Sequence, residues 1–171
     1  MTPRGNLPSL SLNDAPWPEA PPDALSAPDL YDGIIWRRSL GFLVDLALNG
    51  LLYSVLGVVF WLAGVLTFGL LWPLGVAALA ILPFAYHTFF IGRQGATPGM
   101  ALFDAEVRTW TGERPDYARA FLMTAMFYAS IAATSGLILA VSLFNDRRRT
   151  LHDYLAGTVV VRHSRLAGPG A

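Results

Sequence analysis

The stretch RRSLGFLVD sets an arginine, Arg38, seven residues ahead of an aspartate, Asp45. On a helix that separation is two turns, so both side chains leave the same face, while Arg37 points about 100° away. Their Cα atoms would lie roughly 10 Å apart along the axis, and an arginine at a helix start reaches back toward water. Asp45 is therefore expected to draw its hydrogen-bond donor from a distant part of the chain. Asn49 sits one turn further along the same face, at the i,i+4 spacing that makes neighbours. A carboxylate in this setting has two uses. It can handle a proton or a cation, or it can be a structural group satisfied by an arginine or by backbone N–H groups. An ionised aspartate at mid-membrane costs on the order of 3 kcal/mol on insertion scales, and less near the boundary, so either use demands partners.

A second polar concentration is NDRRRTLHDYLAGTVVV, residues 145–161. Arg147, Arg148 and Arg149 could each contribute about 1 kcal/mol of attraction to anionic lipid near a surface, or one of them could serve Asp45. His152 and Asp153 offer either a proton relay or, through Asp153, a cap that holds the following strand. Metal ligation is not expected, because His152 lacks a second histidine at helical spacing and His87 and His163 stand in no ligand motif. GATPG at 95–99 lacks the Lys-Ser/Thr ending of a phosphate loop and reads as a turn between helix and strand. With no nucleophile, Walker loop or zinc signature in the chain, no enzymatic activity and no cofactor are expected.

The elements that must position these residues are apolar. The composition is 54% hydrophobic and 14% charged, against about a quarter charged in soluble domains. Residues 46–92 carry no Asp, Glu, Lys or Arg, enough for two crossings at roughly 20 residues each. The first helix is expected over 34–62, a turn over 64–69, and the second helix over 70–90, with Trp36, Trp61, Trp72 and Tyr86 near the interfaces and Pro83 kinking the second. After it, Phe103, Ala105, Val107 and Thr109 alternate with Asp104, Glu106, Arg108 and Trp110. That is a strand with one polar face. A second β-rich run spans 157–162, and because a lone strand is unstable in water the two are expected to pair.

Arginines flank this helix pair on one side only: Arg37 and Arg38 before it, Arg93, Arg108, Arg114 and Arg119 after it, none in the turn. By the positive-inside bias that side is cytoplasmic. Residues 120–145 form a third uncharged stretch, long enough for one crossing. A crossing would carry Arg147, Arg148, Arg149 and the second strand to the far side; a segment that dips in and returns, bending at Thr134-Ser135-Gly136, keeps them with the rest and is preferred. Residues 1–30 hold seven of the twelve prolines and are expected to be a disordered tail without a secretory signal. A membrane domain over 31–165 and a flexible tail over 166–171 complete the chain. All twelve basic residues are arginine, which genomic base composition accounts for. Cysteine is absent, so disulfides are excluded, and zero net charge argues against nucleic acid as a partner.

Three of these stretches together resemble the RDD family of small bacterial membrane proteins: WRRSLGFLVD with Arg38 and Asp45, GATPGMALFDAEVRTWTGE, and RRRTLHDYLAGTVVV with Asp153. The resemblance runs over about residues 33–163. One departure is Met100, where many members carry a lysine after the turn's second glycine. The resemblance implies a multi-pass protein of the bacterial inner membrane, with transport suggested for some members.

The fold expected is thus a mainly α membrane protein: two long transmembrane helices, a third hydrophobic segment that is re-entrant or spanning, and a small cytoplasmic two-stranded β element. Arg38, Asp45 and Asp153 are expected to form or support one polar cluster at the cytoplasmic boundary, with Asn49, Arg147, Arg148, Arg149 and His152 supporting it. Two functions follow from that cluster. One is a structural or accessory module in which it locks the helices to the cap. The other is a small oligomeric transporter or ion- or proton-coupled carrier that uses Asp45. The partners expected are the lipid bilayer, anionic lipid head groups, and a second copy or another membrane protein.

Overall fold

The computed structural model describes residues 17, 20–134 and 147–166. Two helices dominate it: α1, Ile34–Leu66, and α2, Trp72–Gln94. At 33 residues α1 is about 50 Å long, well beyond the ~30 Å of a bilayer's hydrocarbon. Both helices are long and apolar enough to cross a membrane. Only 6% of the most apolar window of the first span, and 17% of that of the second, is buried inside the protein, so these are not the core helices of a soluble fold. Leu43, Leu46, Leu51, Val55, Val58 and Trp61 all point outward.

Both helices run four residues past their expected C-terminal ends, and the turn between them contracts to 67–71. An uncharged sequence carries no marker for the last turn, whereas the hydrogen bond from Gly69 N to Gly64 O (2.7 Å) fixes it in the structure. Pro83 lies inside α2, which continues through it to Gln94. Lacking an N–H, Pro83 leaves the Leu79 carbonyl without its helical donor, and the Tyr53 hydroxyl of α1 supplies one at 2.7 Å. A neighbouring helix thus repairs the break, as the hydrocarbon phase requires.

The turn expected at 95–99 leads into one helical turn, α3, Pro98–Leu102. Gly95, at φ +76°, ends α2. Thr97 then caps α3, its hydroxyl accepting from Met100 N, with Pro98 in the first turn, where a missing N–H costs nothing. Strand β1, Ala105–Thr109, pairs antiparallel with β2, Thr158–Arg162, in the register Val107 opposite Val160. Ala105, Val107 and Val160 face a core built from Ile34, Ile91, Ala120, Met123 and Ala156.

The polar face of β1 is not open to water. Glu106 and Arg108 are buried. Glu106 Oε1 takes Arg108 Nη2 and Arg114 Nε, both at 2.9 Å, and Oε2 takes His163. The same face of β2, Val159 and Val161, packs on Trp17 and Tyr31. The tail therefore departs from the expected disorder at Trp17 and residues 20–30. Trp17 Nε1 donates to Trp110 O (2.9 Å), Tyr31 to Pro22 O (2.7 Å), and a short 3₁₀ turn forms at Pro28–Leu30. Two aromatic rings offset an ordering cost that the prolines alone could not.

Helix α4, Tyr117–Thr134, packs on α2 through Phe84 and Phe121, whose ring centroids are 4.9 Å apart. Residues 135–146, including the expected bend at Ser135-Gly136, lie outside the described residues. By Arg147 the chain is again beside the tail, with Arg147 donating to Pro21 O and Pro22 O. Helix α5, Leu151–Leu155, then leads into β2.

Candidate functional site

Asp45 sits on the buried face of α1 and is 2% exposed. Its Oδ1 accepts from the Tyr86 hydroxyl of α2 (2.8 Å) and from Gly99 N of α3 (2.9 Å), and its Oδ2 accepts from the Thr97 hydroxyl (2.5 Å). The donors are two hydroxyls and a backbone N–H, so of the partners considered for Asp45 it takes a backbone N–H and not Arg147, Arg148 or Arg149. Gly99 lies in the first turn of α3, whose N–H groups have no partner within the helix, so the turn itself supplies what a guanidinium would. The approach is tight enough to require glycine on both sides: a Cβ at Gly99 would lie 2.1 Å from Gly41 O, and one at Gly41 would lie 3.0 Å from Gly99 C. Asn49 donates to the backbone carbonyl of Asp45 (2.9 Å), not to its carboxylate.

Asp153 has no exposed side-chain surface. Its Oδ2 takes Arg38 Nη1 (2.7 Å), the Thr150 hydroxyl (2.7 Å) and Thr150 N (2.8 Å). The last two cap α5 from within; the first ties α5 to α1. Burial pushes the Asp153 carboxyl up, but the Arg38 charge and the hydrogen bonds outweigh it and hold the group below its ordinary value. Arg149 braces the same turn, donating to Asp153 O (2.9 Å) and Thr158 O (2.8 Å), with its guanidinium 3.9 Å from the Tyr154 ring centre. Arg147 is directed to the tail and lies over Trp110. Arg148 adopts left-handed backbone at φ +50°.

His152 is buried beside this pair, with Nε2 3.3 Å from Arg38 Nη2. Both ring nitrogens also approach the Thr150 hydroxyl, Nε2 at 2.9 Å and Nδ1 at 3.1 Å. Nε2 is 3.6 Å from Asp153 Oδ1, too far for a direct hydrogen bond; the two side chains are joined through the Thr150 hydroxyl, which donates to Asp153 Oδ2. Burial, with Arg38 adding to it against the pull of Asp153, brings the imidazole down to about 4. The folded state thus refuses a proton that the unfolded chain accepts near pH 6.5. Stability is full above that value and falls as pH drops toward about 4, by up to roughly 3 kcal/mol. Unfolding measured from pH 8 to 4 should show this acid limb, and His152→Gln should flatten it. The Asp153 contribution disappears only below pH 3.8.

Of the residues expected to cluster, Arg38, Asp153 and His152 meet, while Asp45 forms a separate hydrogen-bonded set. Both sets border one cavity of about 450 Å³, to which Arg38, Asp45, Thr97, Thr150 and His152 all contribute. Sequence reasoning missed Tyr86, read as an interface aromatic, and Thr97 and Gly99, read as a plain turn. The Thr-Pro-Gly order, a cap residue followed by proline at the first helical position, was the available signal.

An outward-apolar helix pair, tied at one end to a small capped sheet through two buried carboxylates, defines a class of helical membrane protein. The chain belongs to the RDD family, which it matches over residues 33–157. Family and helices together point to a membrane protein. No curated protein and no solved structure matches the chain.

Proposed function

We propose that the protein is a multi-pass inner-membrane module of structural or accessory type, non-enzymatic, whose buried carboxylates lock the membrane helices to a cytoplasmic cap. One observation carries this reading: each carboxylate is held by donors from another element, Asp45 from α2 and the α3 turn, Asp153 from α1. A carboxylate so held exchanges partners only at the cost of buried hydrogen bonds. The arginines at the cap end, with none in the 67–71 turn, support a cytoplasmic cap and N-terminus. The return of the chain to the tail by Arg147 supports a re-entrant third segment. As partners we propose the bilayer, with anionic head groups beside the cap arginines, and a second copy or another membrane protein along the outward face of α1.

The second reading, a small ion- or proton-coupled carrier using Asp45, is favoured by the presence of Arg38 and Asp45 on one cavity wall. Asp45→Asn in liposomes separates the two. The amide keeps one acceptor but turns N–H against the Thr97 hydroxyl, so the lock predicts a loss of about 1–3 kcal/mol and no pH- or sodium-driven flux in either protein. Flux in the wild type that vanishes in an Asp45→Asn protein of unchanged stability would establish the carrier instead.

A further inference from the structure

The cavity between α1, α4 and the cap changes character along its length. Arg38, Ser39, Thr150 and His152 border its cap end, with Met123 beside Thr158 and Phe127 edge-on to His152, whereas Phe42, Leu43 and Ile131 continue the wall further along α1 and α4. Asp45 reaches this wall, but its oxygens are engaged by Tyr86, Thr97 and Gly99 and the residue is only 2% exposed. The volume, about 450 Å³, falls in the range of small-molecule sites. Phe42 is 44% exposed and Leu43 58%, so these side chains belong at once to the cavity and to the outward apolar face of α1. The opening is therefore continuous with the surface that lipid would cover. At the polar end, Arg38 uses Nη1 and Nη2 on Asp153, Thr150 and His152. Of its five N–H donors, that on Nε has no partner among the described residues, and the side chain retains 19% exposure. Polar at the arginine end and mainly hydrocarbon beyond, where His87 and Thr124 add polar atoms to the wall, the cavity has the same direction of polarity as one leaflet.

We infer that this cavity holds one acyl chain of a bilayer phospholipid, with the lipid phosphate at the Arg38 end. A phosphate oxygen is the acceptor a guanidinium N–H suits best, and the chain replaces the empty volume with dispersion contacts that an unfilled apolar wall forgoes. The exposed lining residues Phe42 and Leu43 put an opening on the outward apolar face, where a lipid chain is already present. The inference rests on α1 lying in the bilayer and not on the locking role of the carboxylates, so the two fail separately.

The test reconstitutes the full chain in nanodiscs containing a trace of phosphatidylglycerol with a diazirine in mid-chain, irradiates, and maps the cross-linked residues by peptide mass spectrometry. Phe127 and Ile131 should be labelled several-fold above Val55 and Val58, which face outward on α1. Ile131→Trp, which fills the apolar end, should remove that excess and leave Val55 and Val58 unchanged; if it fails to assemble, Leu43→Trp at the mouth replaces it. An alkyl diazirine without a phosphate, at the same mole fraction, should label the α4 residues less. Even labelling of all apolar faces, an excess that survives the filling variant, or equal labelling by the phosphate-free probe overturns the inference.

Discussion

Arg38→Ala should destabilise the protein by about 3–5 kcal/mol, the range for removing one partner of a buried ion pair. Asp153 has no exposed side-chain surface, so water cannot replace the lost guanidinium. Its remaining donors are the Thr150 hydroxyl and N–H, neutral groups that cannot balance a full charge. The carboxyl would then protonate, because burial raises it once the opposing charge is gone, and Thr150 would lose an ionised acceptor. Arg38→Lys should fall between wild type and alanine. An ammonium can reach Asp153, but it lacks the planar fork that also serves Thr150 and His152. The apolar pair Arg38→Met with Asp153→Leu should recover most of the loss, less about 1 kcal/mol for the α5 cap. Unfolding of the purified variants in one detergent, followed by circular dichroism, measures all four proteins. A loss for Arg38→Ala below about 1 kcal/mol, the level of an exposed pair, would remove the lock between α1 and α5.

What the sequence displayed, and what it hid, divides along physical lines. The uncharged run at 46–92 and the alternation at 103–110 depend on local patterning, and the helices and the strand pair follow from them. The partners of Asp45 depend on a long-range approach, Gly99 being 54 residues away, and no local pattern encodes that. A carboxylate in apolar sequence suggests a guanidinium, yet a helical first turn presents the same donors without a charge. The buried polar face of β1 was hidden for a related reason. Period two distinguishes the faces of a strand but not what covers them, and here Arg114, His163 and the tail cover Glu106 and its neighbours. Arg38 and Asp153 are 115 residues apart, and the sequence brings them to one boundary without marking them as the bonded pair.

Gly99→Ala should cost on the order of 3 kcal/mol or more, although the same change at Gly50 should be neutral or stabilising by up to about 1 kcal/mol. The chemistry of the two substitutions is identical and only the surroundings differ. At Gly50 a new Cβ meets nothing within 4 Å; at Gly99 it would lie 2.1 Å from Gly41 O and 2.8 Å from the Asp45 carboxyl carbon. The atoms in the way are backbone and a side chain held by two other donors, so neither yields cheaply. Helix α3 must lift from α1, and the Gly99 N–H leaves Asp45 (2.9 Å), a bond to a charged group that alone contributes about 1.5–3 kcal/mol. Gly41→Ala approaches the same contact from α1 at 3.0 Å and should cost less, with the same sign. Pairing Gly99→Ala with Asp45→Ala identifies the route. If the cost runs through the carboxylate, the double variant should be more stable than the sum of the singles by 0.5–3 kcal/mol, as expected of groups in one network. Strict additivity in unfolding free energy would mean that the glycines serve only the close approach of two backbones, and that Asp45 gains nothing from the α3 turn.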